Sequence, residues 1–149
     1  MQQRKDDGPF GIFAEAEVNI EFFHLDPMQV VWHGNYIDFF EVGRRSLLEK
    51  IGYCYKEMEK SGFAFPVVEI SAKYLYPLRF GERVRVRAIL TEYENGLKIK
   101  YEIFNVKTGA LTTKGLSTQM AYNIEAGESC FACPEVLIKK IEALMDKRE

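Results

Sequence analysis

The sequence predicts an α+β domain in which a five-stranded, largely antiparallel sheet buries one face against a single long helix. Three observations predict it: strand-like alternation that gives way to a helical hydrophobic period, four further strand-like stretches separated by turn signals, and a length suited to one core. At 149 residues the chain can withdraw roughly 68–70% of its unfolded surface from water. Residues 1–149 are therefore read as one domain, with residues 1–13 a flexible N-terminal segment and residues 134–147 a closing helix.

Ala14 to Phe23 alternates, with Ala16, Val18, Ile20 and Phe22 on one side and Glu15, Glu17, Asn19 and Glu21 on the other, which reads as a first strand. Asp26-Pro27 then turns the chain, because a residue before proline is pushed away from helical angles. Tyr36, Phe39, Phe40, Gly43, Leu47, Leu48 and Ile51 recur at three- and four-residue intervals, the mark of a long amphipathic helix that ends at Gly52. A short helical piece, Tyr55 to Lys60, stops at Ser61-Gly62. Four strands follow, over Phe65 to Leu75, Arg83 to Glu94, Leu97 to Val106 and Thr112 to Tyr122. Among the separators, Asn95-Gly96 reads as a two-residue type I′ hairpin, since both residues tolerate positive φ. Pro134 opens the last helix, whose apolar stripe is Leu137, Ile138, Ile141, Leu144 and Met145. The sheet's remaining face or edges call for a second copy of the chain, so a homo-oligomer is expected.

Twenty Lys plus Arg against 22 Asp plus Glu leave a formal charge of −2, which argues against a general polyanion binder and hence against nucleic acid. No apolar run approaches the roughly 18 to 20 residues that cross a bilayer, and Met1 to Gly8 lacks a secretory apolar segment, so a cytoplasmic protein without membrane attachment is expected. Cys54, Cys130 and Cys133 are too few and too unevenly numbered for a disulfide framework. Cys130 and Cys133 form a CxxC, but no second pair completes a zinc shell, and His24 and His33 lie too far apart for a compact ligand pair. The expectation is a C-terminal loop, with neither metal nor redox cofactor.

The densest set of reactive side chains runs from His24 through Asp26, Trp32, His33, Gly34 and Asn35 to Tyr36, at the mouth of the long helix, with Glu41 farther along it. A turn feeding a helix N-terminus offers unpaired N–H groups and the positive end of the dipole to an anion. From spacing alone Asp26 could cap a turn or do chemistry, His33 could be structural or functional, Tyr36 lies in the apolar stripe, and Glu41 suits a helix-surface ion pair. Arg83, Arg85 and Arg87 alternate along one strand, as a solvated face or as an anion contact with Arg79.

Asp26-Pro27, then Val30-Val31-Trp32-His33-Gly34-Asn35-Tyr36, then Phe40-Glu41-Val42-Gly43-Arg44, together resemble the hot-dog thioesterases of the 4-hydroxybenzoyl-CoA type. Tyr74-Leu75-Tyr76-Pro77-Leu78-Arg79-Phe80-Gly81-Glu82 looks like that family's strand-turn-strand signature. The resemblance covers about residues 14 to 124. It implies the hot-dog fold, a sheet wrapped around the long helix, and hydrolysis of acyl-CoA or acyl-carrier-protein thioesters by dimers or tetramers with sites at the subunit boundary.

Residue by residue, Asp26 falls on the family's loop aspartate and His33 on a histidine of many bacterial members. The resemblance makes Asp26 the nucleophile or general base and His33 a partner that orients water or thioester. Main-chain N–H groups of Gly34 and Asn35 become candidates for an oxyanion hole, Asn35, Tyr36 and Glu41 for positioning, Trp32 for the acyl group, and Arg79, Arg83 and Arg85 for coenzyme A phosphates. Trp32, Phe39, Phe63, Phe65 and Val67 are equally explained as acyl tunnel or as core. Two departures stand out: Met28-Gln29 replaces a small Ala-Gly or Gly-Gly pair, and Phe22 stands where relatives carry a tyrosine. Two other functions remain open at this stage, a hydratase or dehydratase with His33 and Glu41 trading protons, and a non-catalytic acyl-binding module.

Overall fold

A computed structural model of the chain describes residues 7–147. One five-stranded sheet, ordered β1-β4-β5-β6-β3, carries the fold. Its strands are β1 (Phe13–Asn19), β3 (Val67–Tyr74), β4 (Arg83–Glu92), β5 (Leu97–Asn105) and β6 (Leu111–Gln119), every neighbouring pair antiparallel. The helix α1 (Asn35–Ile51) lies on the inner face, and a small second sheet joins β2 (Phe63–Ala64), β7 (Tyr122–Asn123) and β8 (Glu128–Ser129). The short α2 (Tyr55–Ser61) follows α1, and α3 (Glu135–Asp146) closes the chain.

The helical period places Tyr36, Phe39, Phe40, Gly43, Leu47, Leu48 and Ile51 in the core, as predicted. They meet Val84, Val86 and Ala88 of β4 and Ile99, Tyr101 and Ile103 of β5, all of them buried. Close approach needs missing side chains at two points. A Cβ on Gly43 would come within 2.8 Å of Val86, and one on Gly115 within 2.4 Å of the Phe40 ring. Gly52 ends α1 with φ of 86°, its N–H reaching back to Leu48 and Glu49, the left-handed cap that only glycine adopts freely.

Several boundaries move. The first strand stops at Asn19; the main chain of Ile20 then bonds the β3–β4 connection through Glu82 and Gly81, and a single 3-10 turn covers Phe22–His24. Phe22 and Phe23 are consequently exposed instead of continuing the alternation. The stretch from Phe65 to Leu75 is not one strand. Pro66 lacks the N–H a ladder needs, so Phe63 and Ala64 pair with β7, and the main-sheet strand starts at Val67. The Asn95-Gly96 turn does join an antiparallel pair, but as the four-residue loop Tyr93 to Gly96 with positive φ at neither residue. Tyr93 leaves the ladder there to pack edge-on against Phe10.

Residues 1–6 of the expected flexible segment lie outside the described residues. From Asp7 onward the segment is tied down: Asp7 pairs with Arg87, Gly8 lies against Ile89, and Ile12 is in the core. Among the described residues no helix is long and apolar enough to cross a membrane. At the far edge of the sheet, β3 carries Val67, Val68, Ile70 and Tyr74 exposed.

Candidate active site

The loop from Leu25 to Val31 doubles back on itself. Leu25 and Val31 form an antiparallel bridge, the N–H of Asp26 donates to Val30 O (2.8 Å), and that of Gln29 donates to Asp26 O (2.9 Å). The Asp26 side chain takes part through one oxygen only. Its Oδ1 accepts the N–H of Met28 at 2.8 Å, an Asx turn. Oδ2 has no hydrogen-bond partner among the described residues. Gln29, second residue of the pair that departs from the family pattern, sits at φ 65°, the one non-glycine in the left-handed region among the described residues. An L side chain there costs roughly 1–2 kcal/mol, which gives a physical reason for the small pair common at this place. Here the surrounding hydrogen bonds hold the strained residue.

Three contacts staple this loop to the body. Val31 N–H donates to Leu78 O (2.8 Å) in the β3–β4 connection, and Trp32 N–H donates to His24 O (3.0 Å). Asn35 Nδ2 donates to the same His24 carbonyl at 2.8 Å. His24 is itself fixed, its Nδ1 accepting the Glu21 N–H and its ring packed edge-on against Phe23 and Phe39. His24 is thus a structural anchor, not a partner of His33.

Asp26 and His33 line one cavity of about 280 Å³, together with Met28, Tyr36, Tyr74 and Tyr76. Tyr36 is buried, as the apolar stripe predicts, and burial pushes its hydroxyl up to about 12, the main chain of Leu78 opposing the shift. It therefore stays a neutral phenol and lends the wall an uncharged polar tip. At the helix mouth Asn35 N–H donates to Trp32 O (2.9 Å), so that group is occupied, whereas the N–H groups of His33 and Gly34 have no acceptor among the described residues. Gly34 also lies beneath the indole of Trp32, where a Cβ would come within 2.4 Å of the ring.

Other sequence candidates lie elsewhere. Glu41 is on the flank of α1, ion-paired to the buried Arg44 and 3.5 Å from the Tyr55 hydroxyl; it does not line the Asp26 cavity. Trp32 is half-exposed, tilted against His33. Arg83 meets Glu17 at 2.6 Å, Arg85 meets Glu15 and Glu17 at 3.3 and 3.2 Å, and Arg87 pairs with Asp7 and Glu15. The arginine ladder is therefore answered by the glutamates that alternate along β1. Arg79 is exposed on the connection next to the cavity; its main-chain N–H donates to the Glu82 carboxylate, while its guanidinium has no carboxylate partner among the described residues. Phe39 is core, Val67 is on the open edge strand, and Phe63 and Phe65 line a second cavity, apolar and about 530 Å³, with Tyr55, Met58, Tyr122 and Ile124.

Cys130 and Cys133 lie in the loop ahead of α3, Cys133 buried and its thiol pushed up to about 11 by burial. No group of three or more possible metal ligands occurs among the described residues. Tyr74 went unremarked as a site residue although it stands in the strand-turn-strand signature. Its hydroxyl donates to His33 O at 2.9 Å, and its ring packs edge-on against Tyr36 at 4.8 Å.

A five-stranded antiparallel sheet packed on one long helix is the architecture that the resemblance to hot-dog thioesterases implies. Residues 20–141 match the thioesterase-like superfamily, and the chain belongs to that family. It is 35% identical over 115 residues to YneP of Bacillus subtilis (strain 168), a protein whose name provisionally assigns it as an acyl-CoA thioesterase; the match covers 76% of this chain and 82% of that one. An acyl-acyl carrier protein thioesterase of Arabidopsis thaliana, ATL3, is 36% identical over 76 residues, 51% of this chain and 40% of its own. Among solved structures, a DHNA-CoA thioesterase from Staphylococcus aureus superposes with a TM-score of 0.77 at 29% identity, covering 92% of this chain and 95% of that one.

Proposed function

We propose that the chain hydrolyses an acyl-CoA thioester to a free acid and coenzyme A, with the Asp26 carboxylate as the reacting base or nucleophile. The observation that carries this reading is the cavity that Asp26 and His33 share: one carboxylate with an uncommitted oxygen and one histidine, beside a helix mouth where the main-chain N–H groups of His33 and Gly34 have no acceptor among the described residues. Thioester hydrolysis suits so small a set. The leaving thiolate's conjugate acid has a pKa near 8.5, so departure needs no strong general acid. Asp26 takes a proton from water or attacks the carbonyl itself. The developing oxyanion is met by the N–H groups of His33 and Gly34, donors of a kind worth about 2.7–4 kcal/mol each. His33 orients the water or the thioester. Arg79, whose guanidinium has no carboxylate partner among the described residues, is the contact for the coenzyme's phosphates in preference to Arg83 and Arg85. YneP and the Staphylococcus aureus DHNA-CoA thioesterase favour coenzyme A as carrier, and ATL3 keeps carrier protein as the second substrate form to be assayed.

The same reading includes a homodimer. Strand β3 is an open edge, and antiparallel pairing of two copies about Ser71 sets each Glu69 against Lys73 of the partner subunit. That register brings the Phe65–Pro66 end of one chain to the Tyr74–Tyr76 end of the other. In such a dimer the apolar cavity beside Phe63 and Phe65 is the place proposed for the acyl chain. Sedimentation should give at least twice the 17.3 kDa chain mass; a single-chain mass at micromolar concentration would rule the pairing out.

Free-thiol release from a panel of acyl-CoAs and acyl-carrier proteins tests the activity. Asp26→Asn keeps the shape and the Oδ1 acceptor of the Asx turn, so the protein should fold normally while kcat falls about 10²–10⁴-fold. Equal rates for the two folded proteins would end the Asp26 mechanism. Neither alternative releases thiol: a hydratase or dehydratase would leave the thioester intact and change the alkene absorbance, whereas a binding module would show only ligand-dependent thermal stabilisation.

A further inference from the structure

We infer that Tyr74 is a positioning residue for this reaction: its hydroxyl fixes the peptide between His33 and Gly34, and thereby the donor at the start of α1. The inference rests on the thioesterase reading above. Tyr74 is the last residue of β3 and lies 41 positions from His33 in the chain, yet its hydroxyl donates to the His33 carbonyl at 2.9 Å. The bond does not follow from helix formation. The carbonyl of His33 already receives a helix-type bond from Tyr36 N–H, but a long one at 3.4 Å, and the Tyr74 hydroxyl is the shorter and better placed donor. The next peptide back is held differently, by Asn35 N–H on the carbonyl of Trp32.

A peptide group is planar and trans, so its carbonyl and its N–H point in opposite directions. Holding the His33 carbonyl against β3 therefore sets the direction of the Gly34 N–H, one of the two main-chain donors at this mouth with no acceptor among the described residues. Gly34 by itself cannot supply that rigidity. It has no side chain, and its nearest neighbour on the Cβ side is the half-exposed ring of Trp32. Tyr74 in turn is held by its ring, edge-on to the buried Tyr36. The chain of constraint runs from the core through Tyr36 to Tyr74 and then to the His33–Gly34 peptide, and Tyr36, Tyr74 and His33 all line the cavity that Asp26 lines.

Tyr74→Phe removes the hydroxyl and leaves the ring packing, and Tyr74→Ala removes both. With the acyl-CoA that wild type turns over best, Tyr74→Phe is expected to lower kcat about ten-fold, part of the 10²–10³-fold seen when such a donor is lost outright. KM should stay within about two-fold and the thermal midpoint within about 2 °C, since an exposed hydrogen bond contributes little to stability. Tyr74→Ala should lose at least as much kcat. A Tyr74→Phe enzyme as fast as wild type, with or without loss in Tyr74→Ala, would overturn the assignment. So would parallel loss of kcat and thermal midpoint in both variants, which marks a structural role. A wild-type protein that releases no thiol from any substrate would instead overturn the thioesterase reading itself.

Discussion

Gly115→Ala tests how tightly α1 is seated, and two opposing terms decide its sign. An alanine in the middle of a strand is favoured over glycine by roughly 0.5–1 kcal/mol through the unfolded chain. Against it, the added Cβ would lie 2.4, 2.6 and 3.1 Å from three carbons of the Phe40 ring, far inside van der Waals contact. Phe40 has nowhere to go. It is 1% exposed and stacks on Tyr101 with centroids 4.7 Å apart, and the Tyr101 hydroxyl is bonded to Ser117 at 2.8 Å. Overpacking a filled core costs typically 1–3 kcal/mol, so the clash wins and the net loss is about 1–2 kcal/mol. For a chain of this size that lowers the thermal midpoint by about 2–8 °C. Calorimetry of Gly115→Ala, Phe40→Leu and the double variant gives the coupling: the smaller Leu makes room for the new methyl, so the double variant should be more stable than the two single losses added together. A midpoint that rises in Gly115→Ala, or strictly additive losses, would mean that α1 is not pressed against the sheet at this point.

Two solution measurements probe the buried phenols and thiols. Tyr36 keeps its proton to about pH 12 when folded against an ordinary value of 10.0. Its contribution is complete below pH 10 and is lost as pH rises from there through 12, because the unfolded chain gives up the proton first. The size is about 2–3 kcal/mol, and burial raises Tyr53 and Tyr101 in the same direction. Thermal midpoints above pH 10 should therefore fall more steeply in wild type than in Tyr36→Phe, and matching slopes would refute the assignment. Cys133, raised to about 11 and buried, should resist iodoacetamide in the native protein at pH 7.5, while Cys54 and Cys130, both half-buried, react faster. Peptide mass spectrometry resolves the three, and equal labelling of Cys133 would contradict its burial.

The parts of the fold that could be read in the sequence are those where one stretch of chain carries its own instructions. The stripe from Tyr36 to Ile51 and the glycine that stops it fix α1 without reference to any other segment. The Asp26 turn is equally local, since its acceptor serves Met28 two residues on. What could not be read depends on distant segments. Nothing near Phe22 says that Ile20 will be drawn to the β3–β4 connection and end the strand. Nothing near Tyr93 says that Phe10 will pull it out of the hairpin. Tyr74 was visible as an aromatic at the end of a strand, but its acceptor belongs to a helix mouth 41 residues away.

The arginines of β4 carry the same lesson into electrostatics. Arg83, Arg85 and Arg87 alternate, and a two-residue period puts them on one face, which is all that local geometry dictates. The glutamates of β1 also alternate, and that too was legible. What the sequence does not state is the register. It is antiparallel with Glu15 opposite Arg87 and Glu17 opposite Arg85, and it converts two separate charge rows into one neutralised ladder. Once the register is known, the ladder is the wrong place to seek an anion's partner, because a phosphate arriving there would compete with carboxylates already within 2.6–3.3 Å. Arg79 lies outside the ladder, its side chain in no ion pair among the described residues, on the same connection whose Leu78 carbonyl holds Val31 of the Asp26 loop. Under the proposed function, Arg79 is the cation placed to attract the charged end of a substrate, and its availability follows from pairing rather than from composition.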